Sequence, residues 1–231
     1  DAPPPTSWRG ETHVAEPGRS TSKRTLTLGG VPVECEVQER ARLVRLNLGP
    51  GELGYRLCEW CGAGVTGLGE APKWHVNVRT QKPGGGHFHP WTLGHRYETD
   101  VVRIALGVPW AGSTVGERRA MAHSVLYAVL QAVSESLQIA RDNVDGSVVG
   151  GLAHGMPELV LIDTVPGGAG YAILIAENME SVLRRSLEIA ATCECGPETS
   201  CSSCLRTYSN QKWHNQLSRG AAEVYLERLM A

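Results

Sequence analysis

Four cysteines near the C-terminal end are the residues of this sequence with the clearest chemistry. They form two pairs, Cys193-Glu-Cys195 and Cys201-Ser-Ser-Cys204, with five residues between the pairs. Two closely spaced thiol pairs supply the four ligands of one tetrahedral ion, and a site made only of thiolates is typical of structural zinc. Because such a site leaves the metal no open position, the spacing predicts a zinc that stabilises the fold and performs no reaction.

The alternative for these cysteines is a pair of disulfides. Chains held together by disulfides are mostly short, secreted and dense in cysteine. This sequence has seven cysteines, an odd number, among 231 residues. The spacing and the odd count therefore favour zinc in a reducing, cytoplasmic setting.

A second thiol pair, Cys58-Glu-Trp-Cys61, stands directly before Gly62. A glycine after the second cysteine lets the backbone wrap its amides around the sulfurs, as in a zinc knuckle. A redox pair of the thioredoxin type would open a helix, whereas a glycine-rich stretch follows here. The pair therefore predicts the tip of a metal-binding hairpin.

Histidines are the candidate partners of this second pair, since no second thiol pair lies beside it. The candidates are His75, His87, His89 and His95. Because the flexible stretch Gly84–Pro90 presents two imidazoles together, we predict a second metal site of Cys58, Cys61, His87 and His89. The other interpretation is a reduced cysteine pair on a hairpin with unrelated surface histidines.

Other chemistry finds little support in the residues. The glycine-rich segment Asp163–Tyr171 lacks the Gly-Lys-Ser/Thr of a phosphate loop, and Ile173 stands where a dinucleotide fingerprint has its third glycine. It reads as a tight strand-to-helix turn that Asp163 could cap. Ser134 has no Gly-x-Ser-x-Gly elbow, and His123 and His154 stand singly near apolar segments. No catalytic residue is predicted.

The overall charge limits the part that nucleic acid can play. A net charge of −2 and a pI near 6.5 argue against a surface that is basic throughout. A local basic face is still open, and the neighbours Arg184 and Arg185 are our candidates for phosphate contacts. The alternative is that these and the other arginines are scattered surface charges.

Local patterns indicate the elements that must position these residues. Short apolar strands are predicted near 25–48, 101–106, 144–149 and 159–163, and helices over about 114–140, 170–189 and 217–229. Thr114 and Glu117 form a capping box that opens the first helix. The fold class is α/β or α+β: a mixed sheet with packed helices, a C-terminal cysteine cluster and a zinc-knuckle hairpin nearer the N-terminus.

Three regions follow from these patterns. Residues 1–24 are polar and rich in proline, serine and arginine, which indicates a linker or disordered arm, as in a piece of a longer polypeptide. Residues 25–96 form a predicted β-rich subdomain with the zinc knuckle. Residues 97–231 form a predicted α/β domain with the four-cysteine site.

Four motifs follow one another along the chain. They are Leu93-Gly-His95-Arg-Tyr-Glu-Thr99-Asp100, Leu161-Ile-Asp163-Thr-Val-Pro-Gly-Gly-Ala-Gly170-Tyr171, the four-cysteine cluster, and Asn210-x3-His214-x2-Leu217-x-Arg219-x2-Ala222. Together they resemble the MrfA zinc-binding domain family over about residues 30–231. In that family the domain lies at the C-terminal end of superfamily 2 DNA helicases similar to the mitomycin-repair helicase. It also occurs in DrmB, the partner of the helicase DrmA in DISARM phage defence, whose branch the segment Gly54–Gly62 resembles more.

The resemblance implies that Cys193, Cys195, Cys201 and Cys204 bind one stabilising zinc, and it implies no catalytic residue. ATP hydrolysis would then come from a preceding motor domain or from a DrmA-like partner subunit. The expected function is a zinc-binding accessory module of a DNA helicase or translocase system, in phage defence or DNA repair. The alternatives are a protein-interaction scaffold that does not touch nucleic acid and a thiol redox enzyme.

Overall fold

The computed structural model describes residues 11–49, 54–65, 72–153 and 156–231. It has an α+β architecture of sheets and packed helices, one of the two classes that the sequence predicts. The chain divides into two compact units. The first unit comprises the described residues within 1–13 and 44–96, and the second unit those within 14–43 and 97–231. The first ten residues of the predicted arm and His154 lie outside the described residues.

The strands and helices are as follows in the described part of the chain. The strands are β1 (Glu11–Glu16), β2 (Arg19–Leu28), β3 (Val31–Asn47), β4 (Tyr55–Cys58), β5 (Gly64–Val65), β6 (Trp74–Val76), β7 (Pro83–Gly85), β8 (Phe88–Trp91), β9 (Leu93–Leu106), β10 (Val144–Val148) and β11 (Glu158–Asp163). The helices are α1 (Val115–Leu137), α2 (Tyr171–Glu177), α3 (Met179–Thr192) and α4 (Arg219–Met230), with short 3₁₀ helices at Arg141–Asn143 and Tyr208–Trp213.

The largest sheet has the strand order β1-β3-β9-β11-β10, and β2 pairs with β3. Strand β11 is buried on both faces, which explains its nearly continuous apolar sequence. Leu159 and Leu161 face the main core with the helices, while Val160 and Ile162 pack on the other side with Leu43. Burying each such side chain contributes roughly 1.5–3 kcal/mol, so β11 anchors the second unit.

Strands β1 and β2 occupy residues that the sequence suggested as an arm. Strand β2 pairs antiparallel with β3 from Arg19↔Glu39 to Leu28↔Val31. Most of its side chains are exposed, so backbone hydrogen bonds hold it and its polar sequence carries no burial pattern. That is why composition alone indicated a linker here.

Helix α1 begins where the capping box predicts. The Glu117 amide donates to the Thr114 hydroxyl at 3.1 Å, and the Thr114 amide donates to the Glu117 carboxylate at 3.2 Å. The helix then buries an apolar face that includes Val125 and Val129 and packs against α3 and α4. The Ser124 hydroxyl, deep in this face, accepts the Ser218 amide at 3.0 Å and so fixes the start of α4.

The helix predicted over 170–189 is two helices. Asn178, with φ −110° and ψ 16°, separates α2 from α3, and its side-chain amide donates to the Leu174 carbonyl at 2.8 Å. This interruption turns the chain so that α3 packs on α1 and ends beside the cysteine cluster. Among the described residues, none of the helices has the length and apolar character that a membrane crossing requires.

Two small sheets build the first unit around its cysteine pair. One has the order β5-β4-β8, and the other pairs β6 with β7. The Asn77 side chain closes the β6–β7 hairpin by accepting the amides of Arg79 and Thr80 at 2.9 and 3.0 Å. Hairpins this short are marginally stable alone, so these depend on contacts with the groups packed between them.

Candidate metal centre

The four C-terminal thiols meet in one cluster, which we call the four-thiol cluster: Cys193, Cys195, Cys201 and Cys204. Cys193 Sγ lies 3.5 Å from both Cys195 Sγ and Cys201 Sγ, and Cys204 Sγ lies 3.8 Å from Cys195 Sγ and Cys201 Sγ. With Zn–S bonds of about 2.3 Å, the edges of a tetrahedral zinc site measure about 3.8 Å. The sulfurs therefore stand close to the spacing that zinc requires.

Backbone hydrogen bonds shape the second half of the cluster into a tight turn. The amides of Leu205 and Arg206 donate to the Cys201 carbonyl at 3.1 and 2.9 Å, and the Cys201 amide donates to Cys204 Sγ at 3.2 Å. Cys204 and Leu205 are buried in the main core. The turn is thus joined directly to the packing of the second unit.

Arg219, at the start of α4, holds the first half of the cluster. Its guanidinium donates to the carbonyls of Cys195 at 2.6 Å and Ala190 at 3.0 Å, and it pairs with Glu223 at 3.1 Å. Only 14% of the Arg219 side chain is exposed. The arginine therefore bridges the end of α3, the metal loop and α4.

The motif from Asn210 to His214 supports the far side of the same loop. The buried Asn210 amide donates to the Leu205 carbonyl at 2.8 Å, and His214 Nε2 lies 2.8 Å from Asn210 Oδ1. Arg206 donates to the Ser200 hydroxyl at 3.0 Å and to the His214 carbonyl at 3.3 Å. These contacts give the last motif of the chain a structural role beside the cysteines.

The protonation of the thiols shows why a cation suits the cluster. Burial raises the pKa of Cys204 and, to a smaller degree, that of Cys195. At Cys201, burial works in the same direction, but the Ser203 amide and the neighbouring thiols outweigh it and lower the pKa to about 7. Zinc would supply the positive charge that lets all four sulfurs ionise. The donor set fits zinc, the ion that the cysteine spacing predicts, and leaves it no open position.

A second group of metal-type ligands lies in the first unit. The structure brings together Cys58, Cys61 and His75, whose ligand atoms lie within 4.8 Å of one another. We call this group the thiol–histidine cluster. The sequence named His75 as a candidate but selected His87 and His89.

Strand register explains where His87 and His89 go instead. Cys58 pairs with Phe88 and Leu57 with His89, and neighbouring side chains point to opposite faces of a strand. Phe88 therefore packs beside the two sulfurs. His89 pairs with Glu59 at 3.2 Å, and the His87 ring lies 4.4 Å from the Trp60 ring.

The glycine-rich turn after β11 is organised by Asp163. This buried carboxylate accepts the amides of Val165, Ala169 and Tyr171 at 3.0, 2.5 and 3.3 Å. It occupies the place at the start of α2 that an anion would take in a phosphate-binding turn. The segment is a closed structural turn, in agreement with its incomplete nucleotide motifs.

Arg184 and Arg185, the candidate phosphate contacts, lie on α3 with carboxylate partners. Arg184 donates to Glu180 at 2.9 Å, and Arg185 to Glu135 at 2.7 Å and Glu188 at 2.6 Å. They line a groove of ≈ 580 Å³ that is also lined by Glu177, Glu180 and Glu188. The groove therefore carries mixed charge, and the neighbouring carboxylates oppose the approach of phosphate to both arginines.

Comparisons with known proteins bear on this geometry. Residues 125–205, from the middle of α1 to the end of the cysteine cluster, match the family model of the MrfA Zn-binding domain. The resemblance to this family is confirmed for that segment. The chain is also 29% identical over 206 residues to the Druantia protein DruE of Escherichia coli (strain UMEA 4076-1), covering 77% of this chain.

The structural comparison concerns the fold. The DUF1998 helicase MrfA, solved bound to DNA, is similar over 96% of this chain with a TM-score of 0.51 and 14% identity. The chain spans 11% of the length of DruE and 24% of the MrfA chain. The chain therefore matches one part of each of two much longer proteins.

Proposed function

We propose that this chain is a zinc-stabilised accessory module of a DNA helicase or translocase system that acts in phage defence or DNA repair. The observation that carries the proposal is the four-thiol cluster, which lies inside the segment that matches the MrfA Zn-binding domain. The motor is supplied by another domain of the same polypeptide or by a DrmA-like subunit. In this proposal the module gives no ATP hydrolysis of its own.

In this proposal the zinc has a structural role. Arg219 and the cysteine loop join α3 to α4, so zinc holds together the helices that cover the main sheet. A rigid helical face of this kind can be docked by a motor or laid along DNA without contributing reactive groups. The zinc then acts through the shape of the module.

The test compares the complete helicase assembly with and without this module. We expect the module to bind DNA alone only weakly, in the non-specific range of roughly 10⁻⁴ to 10⁻⁶ M, with affinity that falls as salt rises. In the assembly, its omission should reduce DNA-stimulated ATP hydrolysis and translocation. A motor that translocates equally well without the module would contradict the proposal.

A protein-interaction scaffold is the second candidate, favoured by the charge on α3. Arg184 and Arg185 are already neutralised by glutamates, which suits a partner-binding groove better than a phosphate track. Changing both arginines to Glu separates the two functions. Loss of DNA affinity supports the DNA role, whereas loss of motor binding with unchanged DNA affinity supports the scaffold; Arg19→Glu, on exposed strand β2, is the control.

A further inference from the structure

The turn at Cys58–Cys61 has the form of a metal knuckle. The Gly62 amide donates to the Cys58 carbonyl at 2.8 Å, the Cys58 amide donates to the Ala63 carbonyl at 2.9 Å, and Gly62 has a φ of +77°. Both cysteines are buried and neither is in a disulfide. The turn therefore presents two buried sulfurs toward one point, as Cys201 and Cys204 do in the four-thiol cluster.

The imidazole of His75, which belongs to a different hairpin, lies beside the sulfurs of Cys58 and Cys61. Strand β6 pairs with β7 through His75↔Gly84, and the His75 ring meets the edge of Phe88 at a centroid distance of 5.0 Å. His75 Nε2 lies 3.1 Å from Cys61 Sγ. The two small sheets of the first unit thus converge on three ligand atoms.

One nitrogen of His75 is left without a protein partner. Nδ1 is buried and has no hydrogen bond among the described residues. A buried polar atom without a partner costs roughly 1–3 kcal/mol, and an ordered water is a common explanation. An ion bound at Nε2 would leave the ring proton on Nδ1, so the atoms that call for an ion are Nε2 and the two sulfurs, while Nδ1 needs a hydrogen-bond acceptor.

Among the described residues, the apolar packing around this cluster is small. The buried cluster here consists of Cys58, Cys61 and Ala63, with Phe88 packed against it, whereas nearby Trp60 and Trp74 are 63% and 72% exposed. Small units with little buried apolar surface are usually stabilised by disulfides or a structural metal. The cysteines therefore stand in the centre of the unit for a reason other than packing.

We propose that Cys58, Cys61 and His75 bind a second zinc ion, which ties the two hairpins of the first unit together. Two thiolates and one imidazole are zinc ligands, and three protein ligands leave the fourth position for water or a further ligand. His75, and neither His87 nor His89, is the imidazole ligand. This inference does not depend on the proposed function, since it concerns only the metal content and stability of the first unit.

The experiment is metal analysis of the full chain purified in reducing buffer, with matched histidine variants. We expect two zinc ions per chain in the parent, one in His75→Ala, and two in His87→Ala and His89→Ala. One zinc in the parent, two in His75→Ala, or loss of zinc in His89→Ala would each overturn the assignment.

A second variant keeps the test valid if His75→Ala damages the first unit. His75→Cys replaces the imidazole with another zinc ligand, so it should retain two zinc ions. With cobalt in place of zinc, the thiolate-to-cobalt absorption should increase in His75→Cys, because three thiolates replace two at this site. Cobalt spectra identical in parent and His75→Cys, or one zinc in His75→Cys, would show that residue 75 does not coordinate the ion.

Discussion

The four-thiol cluster and the thiol–histidine cluster use similar knuckle turns on very different supports. At the first, Arg219, Arg206 and Asn210 hold the loop by side-chain hydrogen bonds, and Cys204 enters the main core. At the second, the described residues around the sulfurs form a small apolar group with Phe88. Zinc at the four-thiol cluster therefore reinforces a core that already exists. An ion at the thiol–histidine cluster would substitute for a core that is nearly absent among the described residues.

The two clusters also differ in what they leave open. Four thiolates close the coordination sphere of zinc, so the C-terminal ion has neither a water to activate nor an easy exit. Two thiolates and one imidazole leave a position at which a chelator can attach. We therefore expect the same metal to be held with different stability at the two places.

Cys201→Ser should give the largest effect, because it removes a ligand from the closed site. We expect loss of one zinc and a fall of more than about 4 kcal/mol in the free energy of unfolding, because the binding energy of a structural metal is folding energy. Denaturant unfolding together with metal analysis checks this. Cys35→Ala is the matched control, since Cys35 is a buried thiol far from any metal group in sequence and outside both clusters. A Cys201→Ser variant with parental zinc content and stability would contradict the structural role.

A chelator should remove zinc from the two clusters at different rates. Because its coordination sphere is open, the ion of the thiol–histidine cluster should leave first, and amide exchange should then rise in β4, β6 and β8 while α1 and α3 stay protected. Metal content followed by hydrogen exchange over a time course measures both events. Simultaneous loss of the two ions, or earlier exchange in α3, would show that the open coordination position does not speed release from the thiol–histidine cluster.

Local sequence was sufficient for some of this structure. The four cysteines lie within one short loop, so their spacing alone brings the sulfurs together, and the capping box of Thr114 and Glu117 acts within one helical turn. The thiol–histidine cluster is different, because its membership depends on pairing between strands. The sequence favoured His87 and His89 because they stand together on a glycine-rich stretch, but it could not reveal that the strand register turns them away from Cys58.

Other features depended on long-range packing in the same way. Strand β2 is polar because most of it is exposed, so only its pairing with β3 identifies it. By charge alone Arg219 is one of the scattered arginines, yet its guanidinium lies against the Cys195 and Ala190 carbonyls. The available signal was its position in the fourth motif, five residues after His214 and two after Leu217, which indicates a role beside the cysteines without specifying it.

Arg219→Ala removes side-chain hydrogen bonds that support the four-thiol cluster and that have no counterpart at the thiol–histidine cluster among the described residues. We expect a loss of about 2 kcal/mol, because hydrogen bonds from a charged donor to two carbonyls are lost from a mostly buried site. Zinc content should stay at the parental value while chelator removes the C-terminal ion faster. Arg219→Lys keeps the charge but not the forked geometry and should recover only part of the stability. Unchanged stability and unchanged release would show that the loop stands without this arginine.

The smallest effect concerns Arg185, whose guanidinium is more exposed than that of Arg219 and bonds carboxylates rather than the metal loop. Partial burial raises the pKa of Glu135, but hydrogen bonds from Gln131 and Arg185 outweigh it and hold the pKa below its usual value of 4.5. A depressed carboxyl pKa stabilises the fold above the unfolded-state pKa, and this contribution disappears as pH falls through the folded-state value.

Arg185→Gln should therefore cost about 0.5 kcal/mol at neutral pH, in the range of partly exposed ion pairs, and progressively less below pH 4.5. Urea unfolding of parent and variant at pH 7 and at a pH below 4.5 measures the difference. Arg184→Gln, whose i,i+4 partner lies on the same exposed helix face, is the matched control and should cost less. A difference that stays constant across this pH range would show that Arg185 acts through packing of its aliphatic stem on α1 and not through the charge of Glu135.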